Sequence, residues 1–114
     1  MCQKICNLTE DNNYITLKFE QQIITSKNMF RELDNLIIEI DLSNFDMSKV
    51  ESIYGMFNAC TNLKKVNFEN VNTSSVKEMT RLFYACSSLI SINLSNFDTS
   101  ETTKMNYISM DVQI

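Results

Sequence analysis

Histidine, proline and tryptophan are absent from the 114 residues, and glycine occurs once. Without His, the side chain that exchanges protons near neutral pH is missing, and so is the commonest metal ligand. A single Gly excludes glycine-rich phosphate-cradling loops. Any turns must therefore be built by Asn, Asp and Ser, which are abundant. Ten basic residues stand against 14 acidic ones, and the net charge of −4 offers no bulk attraction to nucleic acid or anionic lipid. No apolar run approaches the length of a transmembrane helix. Met1-Cys2-Gln3-Lys4-Ile5-Cys6-Asn7 lacks the apolar stretch of a secretory signal. Enzyme readings fail on the same inventory, because no nucleophile has an identifiable base. The expectation is a chain with no catalytic residue, no cofactor, no metal site and no membrane insertion.

What is present is hydrophobic and ordered in character: 44% of residues are hydrophobic and seven are Phe. The length suits one domain with a real core. Within it the chain repeats itself. Leu63, Val66, Phe68, Asn70, Val71, Ser74, Val76 and Met79 return 26 residues later as Leu89, Ile92, Leu94, Asn96, Phe97, Ser100, Thr102 and Met105, and Phe83 and Cys86 extend the same pattern. Stepping back through the same columns gives Ile40, Leu42, Asn44, Phe45, Ser48, Val50, Ile53, Phe57 and Cys60. A fixed period of this size means stacked supersecondary units.

Each unit reads as one strand and one helix. Ile38–Leu42, Lys64–Phe68 and Ile90–Leu94 alternate in the manner of strands, as does Tyr14–Phe19. Val50, Ile53, Phe57 and Cys60 follow at helical spacing, with Ser48 as N-cap, and Ser75–Cys86 repeats the pattern. Glu20–Leu33 is a worn first copy, and Thr102, Met105 and Ile108 keep part of a third helical stripe. One strand and one helix per period place every strand in the same direction. The predicted class is α/β: a right-handed, leucine-rich-repeat-like solenoid with short parallel strands on one wall and helices on the other. It spans residues 14–110 as three to four repeats, between a polar arm or degenerate cap (1–13) and a tail (111–114).

With those columns in place the chain resembles the BspA-like leucine-rich-repeat proteins, the 26-residue-repeat surface proteins of bacteria and protists. The residues that carry the resemblance are Ile40-Asp41-Leu42-Ser43-Asn44-Phe45-Asp46, Gly55-Met56-Phe57-Asn58-Ala59-Cys60 and Leu63. They recur as Leu82-Phe83-Tyr84-Ala85-Cys86, Leu89 and Ile92-Asn93-Leu94-Ser95-Asn96-Phe97-Asp98-Thr99-Ser100. The resemblance implies adhesion at a cell surface, with a protein or a host or matrix surface as partner. A non-catalytic module for protein–protein or cell-surface binding is thus the expected function. An intracellular interaction scaffold, or a fragment of a longer surface repeat array, stays open as the alternative.

Candidate sites are few. The outward strand positions Glu39, Asp41, Lys65, Asn67, Ser91 and Asn93 form a candidate binding face, small and polar. The column Asn44, Asn70 and Asn96 reads as a ladder of side-chain amides bonding the backbone of neighbouring coils. Cys60 and Cys86 share a column with Leu33 and are expected to be buried, reduced thiols, while Phe57 and Phe83 are expected to be stacked core neighbours. Cys2 and Cys6 stand four apart in the arm. Met105, Tyr107, Ile108, Met110, Val112 and Ile114 crowd the last ten residues, so self-association through that end is also expected.

Overall fold

The only glycine, Gly55, sits in the middle of an expected helix with φ of +58°, in the left-handed region. Asn28, Arg81 and Tyr107 hold the corresponding place in the neighbouring passages of chain, with φ of 52°, 56° and 54°. Glu32, Ala59 and Ala85 form a second left-handed column, with φ of 53°, 60° and 58°. A right-handed helix cannot contain such residues at every fourth position. In the computed structural model, which describes residues 21–33 and 37–109, these segments are successive turns. In the second coil, Met56 donates to Ile53, Asn58 to Gly55 and Cys60 to Phe57, so three four-residue turns overlap.

The alternate N–H groups leave the coil altogether. Ile53, Gly55, Phe57 and Ala59 donate to the carbonyls of Glu78, Thr80, Leu82 and Tyr84 in the next coil. Ser26, Asn28, Phe30 and Glu32 do the same toward Ser52, Tyr54, Met56 and Asn58, and Met79, Arg81 and Phe83 toward Lys104, Asn106 and Ile108. These eleven bonds measure 2.7–3.0 Å. In an α-helix the same donors would reach back four residues. The described chain is therefore a stack of turn-built coils over residues 21–33, 37–62, 63–88 and 89–109.

Among the described residues two short strands complete the secondary structure, β1 (Glu39–Asp41) and β2 (Lys65–Asn67), paired in parallel with Ile40 opposite Val66. Isolated parallel bridges join Thr25, Ser52, Glu78 and Lys104 at a corner. Both strands lie inside their expected ranges. The third expected strand is reduced to a single bridging residue, Ser91. The Tyr14–Phe19 strand, the arm with Cys2 and Cys6, and the tail lie outside the described residues.

Several expectations are thereby corrected. No helix exists among the described residues, so the α/β leucine-rich-repeat-like solenoid with a helical wall is overturned. The resemblance to BspA-like surface proteins falls with it, because the described residues hold no helix and a sheet of only two short parallel strands. Ser48 caps no helix: its N–H and hydroxyl both donate to Asp46, at 3.0 and 2.6 Å. Asn44, Asn70 and Asn96 are exposed rather than bonded between coils. Each occupies the third position of a turn closed by Phe45 to Leu42, Val71 to Phe68 or Phe97 to Leu94. Asn suits that place because it tolerates left-handed backbone, as Asn70 shows with φ of 64°.

The core runs along the stack axis. Phe30, Phe57 and Phe83 form a file of parallel rings with centroids 5.5 and 5.4 Å apart. Phe68 meets Phe57, Phe83 and Phe97 edge-on. Ile53, Met56, Leu63, Met79, Leu82 and Leu89 are buried around them. Cys60 and Cys86 are free and buried. Each thiol donates to a carbonyl one coil earlier, Cys60 to Phe30 at 2.8 Å and Cys86 to Phe57 at 3.0 Å. Ser26 takes the column of Ile53 and Met79, and its buried hydroxyl has no partner among the described residues.

Candidate functional site

The outward strand residues are brought together in register. Glu39 lies opposite Lys65, and Asp41 opposite Asn67. Glu39, Asp41, Lys65, Ser91 and Asn93 are exposed and Asn67 is half-buried. Three of the six are occupied in shaping the backbone. Asp41, Asn67 and Asn93 each accept the N–H two residues on, from Ser43, Glu69 and Ser95, at 2.9–3.0 Å. The Asn67 amide also bridges to Asp41 at 3.1 Å. A second column repeats this device: Asp46, Asn72 and Asp98 accept from Ser48, Ser74 and Ser100. Such side-chain turns are how a chain almost without glycine changes direction. The N–H of Ser43 in the first place holds the Asp41 carboxyl below the usual carboxylate range. The Ser48 hydroxyl does so for Asp46, and the Ser100 hydroxyl for Asp98.

A charged cleft of about 810 Å³ lies along the bridge corner, lined by Lys27, Lys49, Ser52, Lys77, Glu78 and Lys104 among others. Glu78 is its hub. Its carboxylate meets Lys27 at 3.1 Å and Lys104 at 3.9 Å, and accepts the Ser52 hydroxyl at 2.9 Å. Lys27 first, then Ser52, lower its pKa, so it is held as an anion and not poised to give a proton. Lys77 pairs with Glu51 at 3.0 Å. Reasoning from the sequence singles out neither the cleft nor Glu78. The signal available is the 26-residue step joining Ser52, Glu78 and Lys104, which places them in one column.

Among the described residues, no group of three or more metal-ligating side chains converges. No helix there is long and apolar enough to cross a membrane. Burial pushes the Cys86 thiol up to about 12, with Cys60 nearby adding to the effect, and raises Cys60 as well. Both thiols are thus protonated, inaccessible hydrogen-bond donors at neutral pH, as their shared column with Leu33 suggests.

The end of the stack differs from its flanks. Met105 and Tyr107 are 44% and 61% exposed, next to a partly buried Ile108. No further described coil lies beyond them.

A family model described as "Mycoplasma protein of unknown function, DUF285" matches residues 3–113. The chain belongs to this family. No curated protein and no solved structure matches it. The DUF285 match spans the arm, the coils and most of the tail, so it covers every surface described above. Its description assigns no activity, and the functional reading has to come from those surfaces.

Proposed function

We propose that this DUF285 chain is a non-catalytic protein-binding module that engages its partner through the end of the coil stack. The observation that carries this is the exposure of Met105 on the last described coil, beside the exposed ring of Tyr107, where every earlier coil is covered by its successor. In the Met105 column, Ile53 and Met79 are buried, whereas in the Tyr107 column Asn28 and Arg81 are exposed as well. Apolar burial supplies most of the driving force for association. The strand face competes poorly, because its side chains are short and polar, and Asp41, Asn67 and Asn93 are engaged in turns. Aromatic and apolar anchors of the kind that dominate interfaces are found at the end instead.

Sedimentation of the wild type beside a Met105→Asp, Tyr107→Asp double variant tests the reading. Association that grows with concentration in the wild type and disappears in the variant is expected. If both remain monomeric at high concentration, the end is not a binding surface, and the face carrying Glu39, Lys65 and Asn67 becomes the better candidate.

A further inference from the structure

Along three files the bonds between coils share one polarity, whereas at the bridge corner Glu51, Lys77 and Thr103 donate the other way, to Ile24, Glu51 and Lys77. Asn28 N–H donates to the Tyr54 carbonyl; the same peptide unit carries Gly55 N–H, which donates to Thr80; Arg81 N–H then donates to Asn106. A trans peptide points its N–H and C=O in opposite directions. The file therefore begins with the Lys27 carbonyl and ends with the Tyr107 N–H. A parallel file runs from Ser26 through Ser52 and Ile53, Glu78 and Met79, to Lys104. It begins with the Thr25 carbonyl and ends with the Met105 N–H. A third passes through Phe30, Phe57 and Phe83 to Ile108.

Every N–H in these files faces the C-terminal side of the stack and every C=O the N-terminal side. Aligned peptide dipoles add, as they do along a helix, and chains of hydrogen bonds polarise one another. The fourth coil thus presents a row of donors two residues apart, and the first coil a row of acceptors with the same spacing. Neither Met105 and Tyr107 N–H nor Thr25 and Lys27 C=O has a partner among the described residues.

The partner that fits is narrowly defined by this geometry. A regular sheet edge alternates N–H with C=O and offers donors where acceptors are needed. Two C-terminal ends facing each other would oppose donor to donor. The acceptor row with matching spacing is the first coil of this same chain. Its apolar side chains Ile23, Met29, Phe30 and Leu33 are only partly buried, so both ends would gain cover.

We propose that DUF285 chains of this kind associate head to tail, the donor row at Met105 and Tyr107 of one copy taking the acceptor row at Thr25 and Lys27 of the next. This rests on the end-binding reading and adds the identity and direction of the partner. Continuing the bridge ladder from Thr25 through Ser52, Glu78 and Lys104 places Lys104 of one copy beside Thr25 of the next.

Disulfide trapping tests it on the full chain, with Cys2→Ser and Cys6→Ser removing the two thiols of the arm. Neighbours across a parallel bridge lie about 4.8 Å apart, within the roughly 4.4–6.8 Å that a disulfide spans. Under mild oxidation, Thr25→Cys mixed with Lys104→Cys should give a disulfide dimer that neither variant forms alone. The sedimentation coefficient of the unmodified chain should also rise with concentration without levelling at a dimer, because a head-to-tail dimer still carries one free donor row and one free acceptor row. If Lys104→Cys cross-links to itself as readily as to Thr25→Cys, the ends pair symmetrically; the direction is then overturned while the end-binding reading stands. A wild type that stays monomeric, with no cross-linking in the mixture, overturns both.

Discussion

Ala59 and Ala85 stand one coil apart with nearly the same left-handed backbone, φ of 60° and 58°, and the N–H of Ala59 bonds to the coil that contains Ala85 through Tyr84, at 2.8 Å. Two alanines, the strongest helix formers, are held in the conformation that a right-handed helix forbids.

A glycine substitution separates the two backbones. In a helix, Ala85→Gly costs about 1 kcal/mol. Here the side chain is exposed and φ is positive, so removing Cβ should stabilise the fold by about 1 kcal/mol. A raised midpoint in chemical denaturation is the expected result, and a lowered one would restore the helix.

The ring file makes a second prediction. Phe57 is fully buried and stacked between Phe30 and Phe83. Phe57→Ala should destabilise the chain by about 3–5 kcal/mol, a large share of the roughly 5–15 kcal/mol typical of a domain. Equilibrium denaturation in urea measures it directly, and a midpoint equal to the parent's would remove Phe57 from the core.

Acid should loosen the coils at their corners. Asp41, Asp46, Asp98 and Glu78 all have carboxyl pKa values lowered in the folded state. For a lowered pKa the contribution is present above the unfolded value, about 4, and is lost as pH falls through the folded one. Stability should therefore drop below about pH 4. The triple variant Asp41→Asn, Asp46→Asn, Asp98→Asn keeps the accepting oxygen, as Asn67 and Asn72 already do in the third coil. It should fold at pH 7 with a shallower acid limb, which thermal melts across pH would show.

The thiols behave in the opposite sense. Their pKa values are raised in the fold, Cys86 to about 12. That contribution is complete below the unfolded thiol value of about 8.5 and is lost as pH rises toward the folded one. Stability should decline from about pH 8.5 upward. At pH 8, a thiol reagent should modify Cys60 and Cys86 only after unfolding; prompt labelling of both in the native chain would show them to be accessible.

Much of the inward side of the molecule is legible in the amino-acid sequence. Phe57 and Phe83, or Cys60 and Cys86, share a column, and side chains that share a column meet as neighbours along the stack. The centres of two strands are legible too, because Glu39-Ile40-Asp41 and Lys65-Val66-Asn67 alternate in polarity as a half-buried strand must.

What the pattern does not reveal is where the backbone N–H groups go. Ile53, Met56, Phe57 and Cys60 recur at the spacing of a helical face, but overlapping turns also bring an apolar residue inward every third or fourth position. Side-chain periodicity reports which atoms leave water, not which carbonyl satisfies each donor. The bonds from Gly55 to Thr80 and from Phe57 to Leu82 exist only once the next coil is in place. For the same reason the ion pair between Lys27 and Glu78, which reaches across two coil boundaries, has no local signature. Which side chains are buried is thus written in the order of the residues. That Ala59, Arg81 and Ala85 turn left-handed is settled by the stacking of coil on coil, because the backbone bonds between coils outweigh the local preference of each residue for a helix.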